Sequence, residues 1–262
     1  MNSLHDIAIK TEGLSIGYKK KVVASDLDLS LRKGMVTALL GKNGVGKSTL
    51  LKTMTGMLPP LGGTVRVKGR DIRDYRRREL AKTMALVSTD PGLAGALTVR
   101  EVVSLGRQPF TGVFDRLDAS DVDIVEGALR AAGITHKADS FIGTLSDGER
   151  QKAMIARALA QNSEIIIMDE PFSFLDVEGK IELLSLMKKI AGENESAILF
   201  STHDVSQALR MTDRIWMFAD KADSKIIIDK TPEELVASGD INLLFKSENI
   251  EFDSVQNDFI AK

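Results

Sequence analysis

The sequence predicts an α/β fold: a mixed, largely parallel core sheet, an N-terminal antiparallel β portion and an inserted helical portion. Three observations carry that expectation. Residues 7–31 alternate apolar and polar side chains, as in Leu27-Asp28-Leu29-Ser30-Leu31, the period-two pattern of strands with one wet face. VTALL (36–40), IIIM (165–168) and AILF (197–200) are short unbroken apolar runs of the kind buried on both faces of a parallel sheet. From Leu97 to about Leu145 apolar residues recur at helical spacing, in VREVVSLGR and DVDIVEGALRAAG, with no convincing strand between them.

Taken in order, VTALL leads into a glycine-rich turn and a helix over 48–57. PPLGGTVRVKG reads as turn, strand and turn, and Ala85-Leu86-Val87 as a further short strand. Beyond the helical stretch a helix follows Glu149, IIIM resumes the sheet, and another helix spans 177–191. AILF is the next strand, a helix follows Asp204, and RIWMFA with KIIID closes a hairpin. TPEELVASG is a capped helix, with Thr231 at the N-cap, proline next and acids in the first turn. One domain over 1–239 holds these elements, with a helical subdomain at about 93–160. Residues 240–262 form an extension that no pattern places.

Of the 262 residues 43% are apolar, which suffices for a sizeable core, and a net charge of −2 gives no basic footprint for nucleic acid. Disulfides and thiolate metal sites are excluded by the absence of cysteine, which also suits a reducing compartment. MNSLHDIAIK lacks the charged start and long apolar run of a secretory signal. No apolar run approaches the about 20 residues of a membrane-spanning helix. The expectation is a soluble, cytoplasmic chain.

Gly41 to Thr49 reads GKNGVGKST and fits G-x-x-x-x-G-K-[ST] between an apolar strand and a helix, the context that confirms such a match. Gly41, Gly44 and Gly46 let the backbone turn tightly and aim N–H groups inward at phosphate oxygens, with Asn43 in the same loop and Thr49 closing it. Lys47 supplies a positive charge near the β and γ phosphates, and Ser48 offers a hydroxyl to Mg²⁺. IIIM ends in Asp169-Glu170, two carboxylates at a strand's C-terminal end, where open α/β sheets hold ligands. Asp169 suits Mg²⁺ through water, and Glu170 is placed to polarise the water that attacks the γ-phosphate. AILF ends in STHD, and the order cradle, carboxylates, histidine makes His203 a γ-phosphate contact. His5 and His136 read as surface residues.

Together these elements resemble, from about Ile7 to Gly239, the ATP-binding subunit of an ABC transporter, which is a P-loop NTPase. GKNGVGKST matches that family's Walker A motif, IIIMDE its Walker B and STHD its H-loop; PFSFLD carries the D-loop pattern through Ser173 and Asp176. LSDGERQ (145–151) stands in the place of the signature, usually LSGGQ. Tyr18 in GYKKKVV matches the aromatic that stacks on adenine; packing on a hairpin face is the other reading. The resemblance implies a head-to-tail homodimer in which Ser146 and the Gly148 amide of one copy touch the γ-phosphate of ATP held by the other. Ser146 and Glu149 also fit a capping box, and a capped turn can still present its hydroxyl. Three positions depart from the family. Asp147 replaces a glycine and Glu149 a glutamine, adding negative charge near the ligand, and Thr89 stands where a metal-contacting glutamine is usual and has a shorter reach.

Within the family, LTVREVVSLGRQPFTGVFDRL (97–117) is similar to a segment of importers of iron–siderophore, haem or cobalamin. The likeness implies docking of transmembrane permease subunits through about 95–117, with Phe110 and Phe114 either filling a hydrophobic socket or packing internally. A periplasmic binding protein enters indirectly, nucleic acid is not a partner, and the chain lies on the inner face of the cell membrane. ATP and Mg²⁺ are the implied cofactors. A soluble ABC ATPase serving cofactor assembly and a catalytically dead subunit stay open as alternatives.

Overall fold

Alternation in residues 7–31 resolves into β1 (Ile7–Tyr18), β2 (Lys21–Leu27) and β3 (Ser30–Arg32), followed by β4 (Val36–Leu40), α1 (Lys47–Met54), β5 (Gly62–Val67) and β6 (Arg70–Asp71). The computed structural model describes residues 6–19, 21–88, 96–111, 116–221, 224–245, 250–253 and 258–261. After β6 come α2 (Arg77–Thr83), β7 (Met84–Val87), α3 (Val99–Ser104), α4 (Ala119–Ala131), α5 (Asp147–Ala160), β8 (Ile165–Met168) and α6 (Val177–Asn194). The chain ends through β9 (Ala197–Thr202), α7 (Val205–Met211), β10 (Arg214–Lys221), β11 (Ser224–Lys230), α8 (Pro232–Ala237), β12 (Ile250–Asp253) and β13 (Asp258–Ala261). These elements group into two units, Met1–Asp74 with Ala191–Lys262, and Tyr75–Ile190.

In the first unit β1 pairs antiparallel with β2, β3 and β5, and its inward residues Ala8, Ile9, Leu14 and Ile16 are fully buried. VTALL is buried along its whole length, and within the sheet β4 is flanked by β9 and β10, both running parallel to it. RIWMFA and KIIID form the expected antiparallel hairpin, β10 with β11. Leu39, Leu40, Phe200, Trp216 and Phe218 are no more than 2% exposed. At about 2 kcal/mol for each such side chain taken out of water, this cluster is the main anchor of β4 and of the loop that leaves it. Helix α1 is shorter than the 48–57 read from the sequence. It ends at Met54, and two residues on Gly56 takes a φ of +72° that a right-handed helix cannot continue through.

The second unit is helical over the stretch that lacks strand patterning. Among its described residues, 97–145 holds no strand, only an isolated bridge between Thr98 and Phe141. α3 buries Val99, Val102 and Val103, α4 buries Val125, Ala128 and Leu129, and both pack on the alanine-rich face of α5. Arg107 and Asp121 are 7% and 8% exposed; the guanidinium donates to Asp121 Oδ1 at 2.8 Å and to the Ala160 carbonyl at 2.9 Å. This pair holds the Asp121 carboxyl below the usual range, the hydrogen bond outweighing burial. β7 and β8 run parallel. Helix α2 has no buried residue and no apolar stripe, which is why periodicity does not find it.

Residues 240–262, unplaced from sequence, contain a 3-10 turn (Asp240–Leu244) with Ile241 and Leu244 buried, and the antiparallel hairpin β12–β13. Among the described residues no helix is long and apolar enough to cross a membrane.

Candidate nucleotide site

Residues 41–46 connect β4 to α1, and two of their glycines do what other residues cannot. Gly44 and Gly46 take φ of +75° and +127°, and a Cβ at Gly46 would lie 2.4 Å from Val23 Cγ1, so a side chain there is both strained and obstructed. Three bonds fix the loop: the Gly41 N–H donates to the Thr202 carbonyl at 3.2 Å, Val45 N–H to the Lys42 carbonyl at 3.3 Å, and Lys225 Nζ to the Val45 carbonyl at 2.9 Å. Lys47 is buried at 6% exposure, and its ammonium donates to the Gly41 carbonyl at 2.7 Å and the Lys42 carbonyl at 3.3 Å. The lysine thus sits inside the turn and braces it. Helix α1 begins with Gly46 as its N-cap, has no side-chain cap and has no acid in its first turn. Its N-terminal donors have no side-chain cap, and Ser48 is exposed beside them, while Thr49 is buried. A helix start of this kind, above a buried cation, suits a phosphate.

β4 and β9 run parallel with Leu40 opposite Thr202, so the cradle and His203 leave the same end of neighbouring strands. His203 is exposed, and its backbone is held by a local turn: Asp204 N–H donates to Thr202 Oγ1 at 3.0 Å, and Gln207 N–H to Asp204 Oδ1 at 2.9 Å. Tyr18 closes β1 opposite Lys21 and is 49% exposed, so its ring is not absorbed by the hairpin face.

In the second unit Asp169 and Glu170 follow four buried residues of β8, and the Asp169 N–H donates to the Val87 carbonyl at 2.9 Å. Glu170 has a φ of +49°, a left-handed conformation that costs a non-glycine residue roughly 1 kcal/mol. Thr89 lies outside the described residues, as do His5 and Phe114. Phe110 is 36% exposed and carries the Arg107 guanidinium over its ring at 4.2 Å. His136 is exposed.

The turn 145–149 shows what the two acids at 147 and 149 do in this structure. Glu149 and Ser146 form a complete capping box: Ser146 N–H and Oγ–H donate to Glu149 Oε2, both at 2.9 Å, and Glu149 N–H returns to Ser146 Oγ at 3.3 Å. Lys137 pairs with Glu149 at 3.1 Å, and Arg150 with Asp147 at 2.9 Å. The Ser146 donors, then Lys137, hold the Glu149 carboxyl far below the usual range, at about 2. Each added acid is therefore matched by a cation. Arg150 was within reach of sequence reading by its i,i+3 spacing from Asp147; Lys137 was not. A Cβ at Gly148 would lie 3.1 Å from the Phe174 carbonyl, which puts this turn against the loop 172–176, where Asp176 caps α6 through the Gly179 N–H at 2.8 Å.

Fold and cradle together define a nucleotide-binding protein of the P-loop class. The family model for ABC transporters matches residues 24–173, more than half of the chain, and the chain belongs to that family. An uncharacterized ABC transporter ATP-binding protein of Methanocaldococcus jannaschii is 39% identical, with 97% of this chain and 87% of that protein covered. An iron(3+)-hydroxamate import ATP-binding protein of Bacillus subtilis is 40% identical over 81% of this chain and 77% of its own length. A solved structure from Clostridium perfringens, part of an ABC transporter complex, matches with a TM-score of 0.75 at 29% identity, covering 90% of this chain and 93% of that one. The chain is thus an ABC transporter ATP-binding subunit, and its activity is ATP hydrolysis; these relatives do not favour a cofactor-assembly ATPase.

Proposed function

We propose that the chain energises an importer of an iron–siderophore, haem or cobalamin complex, two copies closing head to tail over two ATP molecules. The observation that carries the ATP site is the uncapped start of α1 above the buried Lys47 ammonium. The likeness to a protein named for iron(3+)-hydroxamate import supports the importer reading. Backbone N–H groups of 41–46, with Asn43 and Thr49 at the rim, take the phosphates, and Tyr18 stacks on adenine. Lys47 offsets the charge of the β and γ phosphates. Glu170 polarises the attacking water, and His203 contacts the γ-phosphate. Ser146 and the Gly148 amide of the second copy complete the site.

The donor set fits Mg²⁺. A hydroxyl and a carboxylate are oxygen donors of the kind that suit an ion that keeps most of its water. Ser48 and Asp169 would hold it, with Thr89 the third position, and it would neutralise charge between the β and γ phosphates. Closure draws on the greater affinity of the closed pair for ATP than for ADP, since only a differential interaction moves such an equilibrium.

The domain reading that goes with this is one ATPase domain over 1–239, its helical subdomain at about 93–160, and the extension 240–262. The stretch at about 95–117 meets transmembrane permease subunits, and a periplasmic binding protein delivers cargo to those. This places the chain at the inner face of the cell membrane as a peripheral subunit. Replacing Glu170 by Gln is expected to slow hydrolysis by 100-fold or more, on the order of an essential catalytic group, and to trap an ATP-bound dimer visible by sedimentation. A Glu170→Gln chain that stays monomeric in saturating ATP would defeat the head-to-tail arrangement. Affinity purification that recovers no polytopic membrane protein would defeat the importer.

A further inference from the structure

We infer that the 3-10 turn Asp240–Leu244, Phe245 and the paired strands β12 and β13 form a positioning element for the phosphate cradle, acting through the ring of Phe245 on the ammonium of Lys42. Lys42 is the second residue of the cradle, and its side chain is exposed. Its Nζ lies 4.9 Å from the centroid of the Phe245 ring, inside the about 6 Å range of cation–π attraction. Phe245 does not stand alone. Its ring meets Phe259 edge to face at 4.6 Å and 78°, and Phe259 meets Phe252 at 5.4 Å and 68°. Phe252 and Phe259 are register partners in β12 and β13, which places both rings on one face of that hairpin.

The stack is fastened at its base. Buried Ile241 and Leu244 hold the preceding turn, and Asn242 Oδ1 accepts from the Phe252 N–H at 3.1 Å. Lys230 pairs with Asp240 at the turn's start. A line of contacts therefore runs from β11 and the 3-10 turn, through three aromatic rings, to Lys42.

What Phe245 holds matters because of what Lys42 does with its backbone. The same residue's carbonyl accepts from Lys47 Nζ and from the Val45 N–H, so the buried lysine and the loop's own turn are both tied to it. Restraining Lys42 restrains the cradle before any ligand arrives, and a site ordered in advance loses less entropy on binding. The inference rests on the reading that 41–49 binds ATP and adds a residue pair that tunes that binding from outside the loop.

In the full chain, Phe245→Leu keeps apolar bulk and removes the π face, while Phe245→Trp keeps it. We expect Phe245→Leu to weaken binding of a fluorescent ATP analogue about threefold, the scale of a partly exposed cation–π pair, with kcat unchanged where turnover is measured. Phe245→Trp should bind as the parent does. In a Lys42→Gln background Phe245→Leu should have no further effect. Unchanged affinity in Phe245→Leu, or a loss that persists in the Lys42→Gln background, overturns the proposal. Amide NMR shifts at Gly44 and Gly46 provide a readout without nucleotide: they should move in Phe245→Leu and not in Phe245→Trp. If the parent binds no nucleotide the ATP reading fails, and these shifts still decide the positioning claim.

Discussion

Helix α1 starts on Gly46 with no side-chain cap and no acid in its first turn, above a buried ammonium. Helix α5 starts on Ser146 with a complete capping box, and two acids in its first turn, each paired with a cation. Both are proposed to meet phosphate, yet only the second carries a side-chain cap. In the second, Ser146 takes the Glu149 N–H, in the way that Thr98, Asp118 and Thr231 cap α3, α4 and α8. On that proposal the first start holds the anion and the second touches it and lets go. A turn with its own carboxylate in place can release a phosphate without leaving orphaned groups behind.

The strongest test of that contrast removes the cation. Lys47→Ala should abolish turnover and weaken nucleotide binding by roughly 100-fold, as loss of a charged phosphate ligand does in a preorganised site; calorimetric titration measures it, and near-parental affinity would mean that the cradle is not the ATP site. Next in size is the pair of serines. Ser146→Ala should destabilise the ligand-free chain by about 1 kcal/mol through the lost cap. Ser48→Ala should change it by less than about 0.5 kcal/mol, since no cap hydrogen bond is removed. Urea unfolding separates them, and equal losses would erase the distinction between the two helix starts. Smallest is the pH effect at Glu149. Its folded pKa lies at about 2 against an ordinary 4.5, so the contribution is fully present above about 4.5 and is lost as pH falls towards about 2. The melting temperature of the parent should exceed that of Glu149→Gln at neutral pH, and the gap should close across that acid window. A gap that does not change with pH would sink the assignment.

Much of the first unit was legible because its signals are local. VTALL and AILF needed only their unbroken apolar character to be read as strands buried on both faces, and GKNGVGKST carries its own backbone demands. The roles proposed for Asp169, Glu170 and His203 rest on the order of their motifs, a reading about chemistry that the fold alone does not decide. What escaped were partnerships. Lys137 reaches Glu149 from a different segment, and Arg107 with Asp121 forms a buried pair across 14 residues of sequence that no local spacing announces. Phe245, Phe252 and Phe259 are evenly spaced, a pattern that matches no single strand. They come together only because a hairpin reverses the chain between the last two.

Glu170 adopts a backbone conformation that glycine or asparagine would take with less resistance. An acid at such a place is kept against a local preference, so Glu170→Gly would relax the backbone at the same time as it removed the carboxylate.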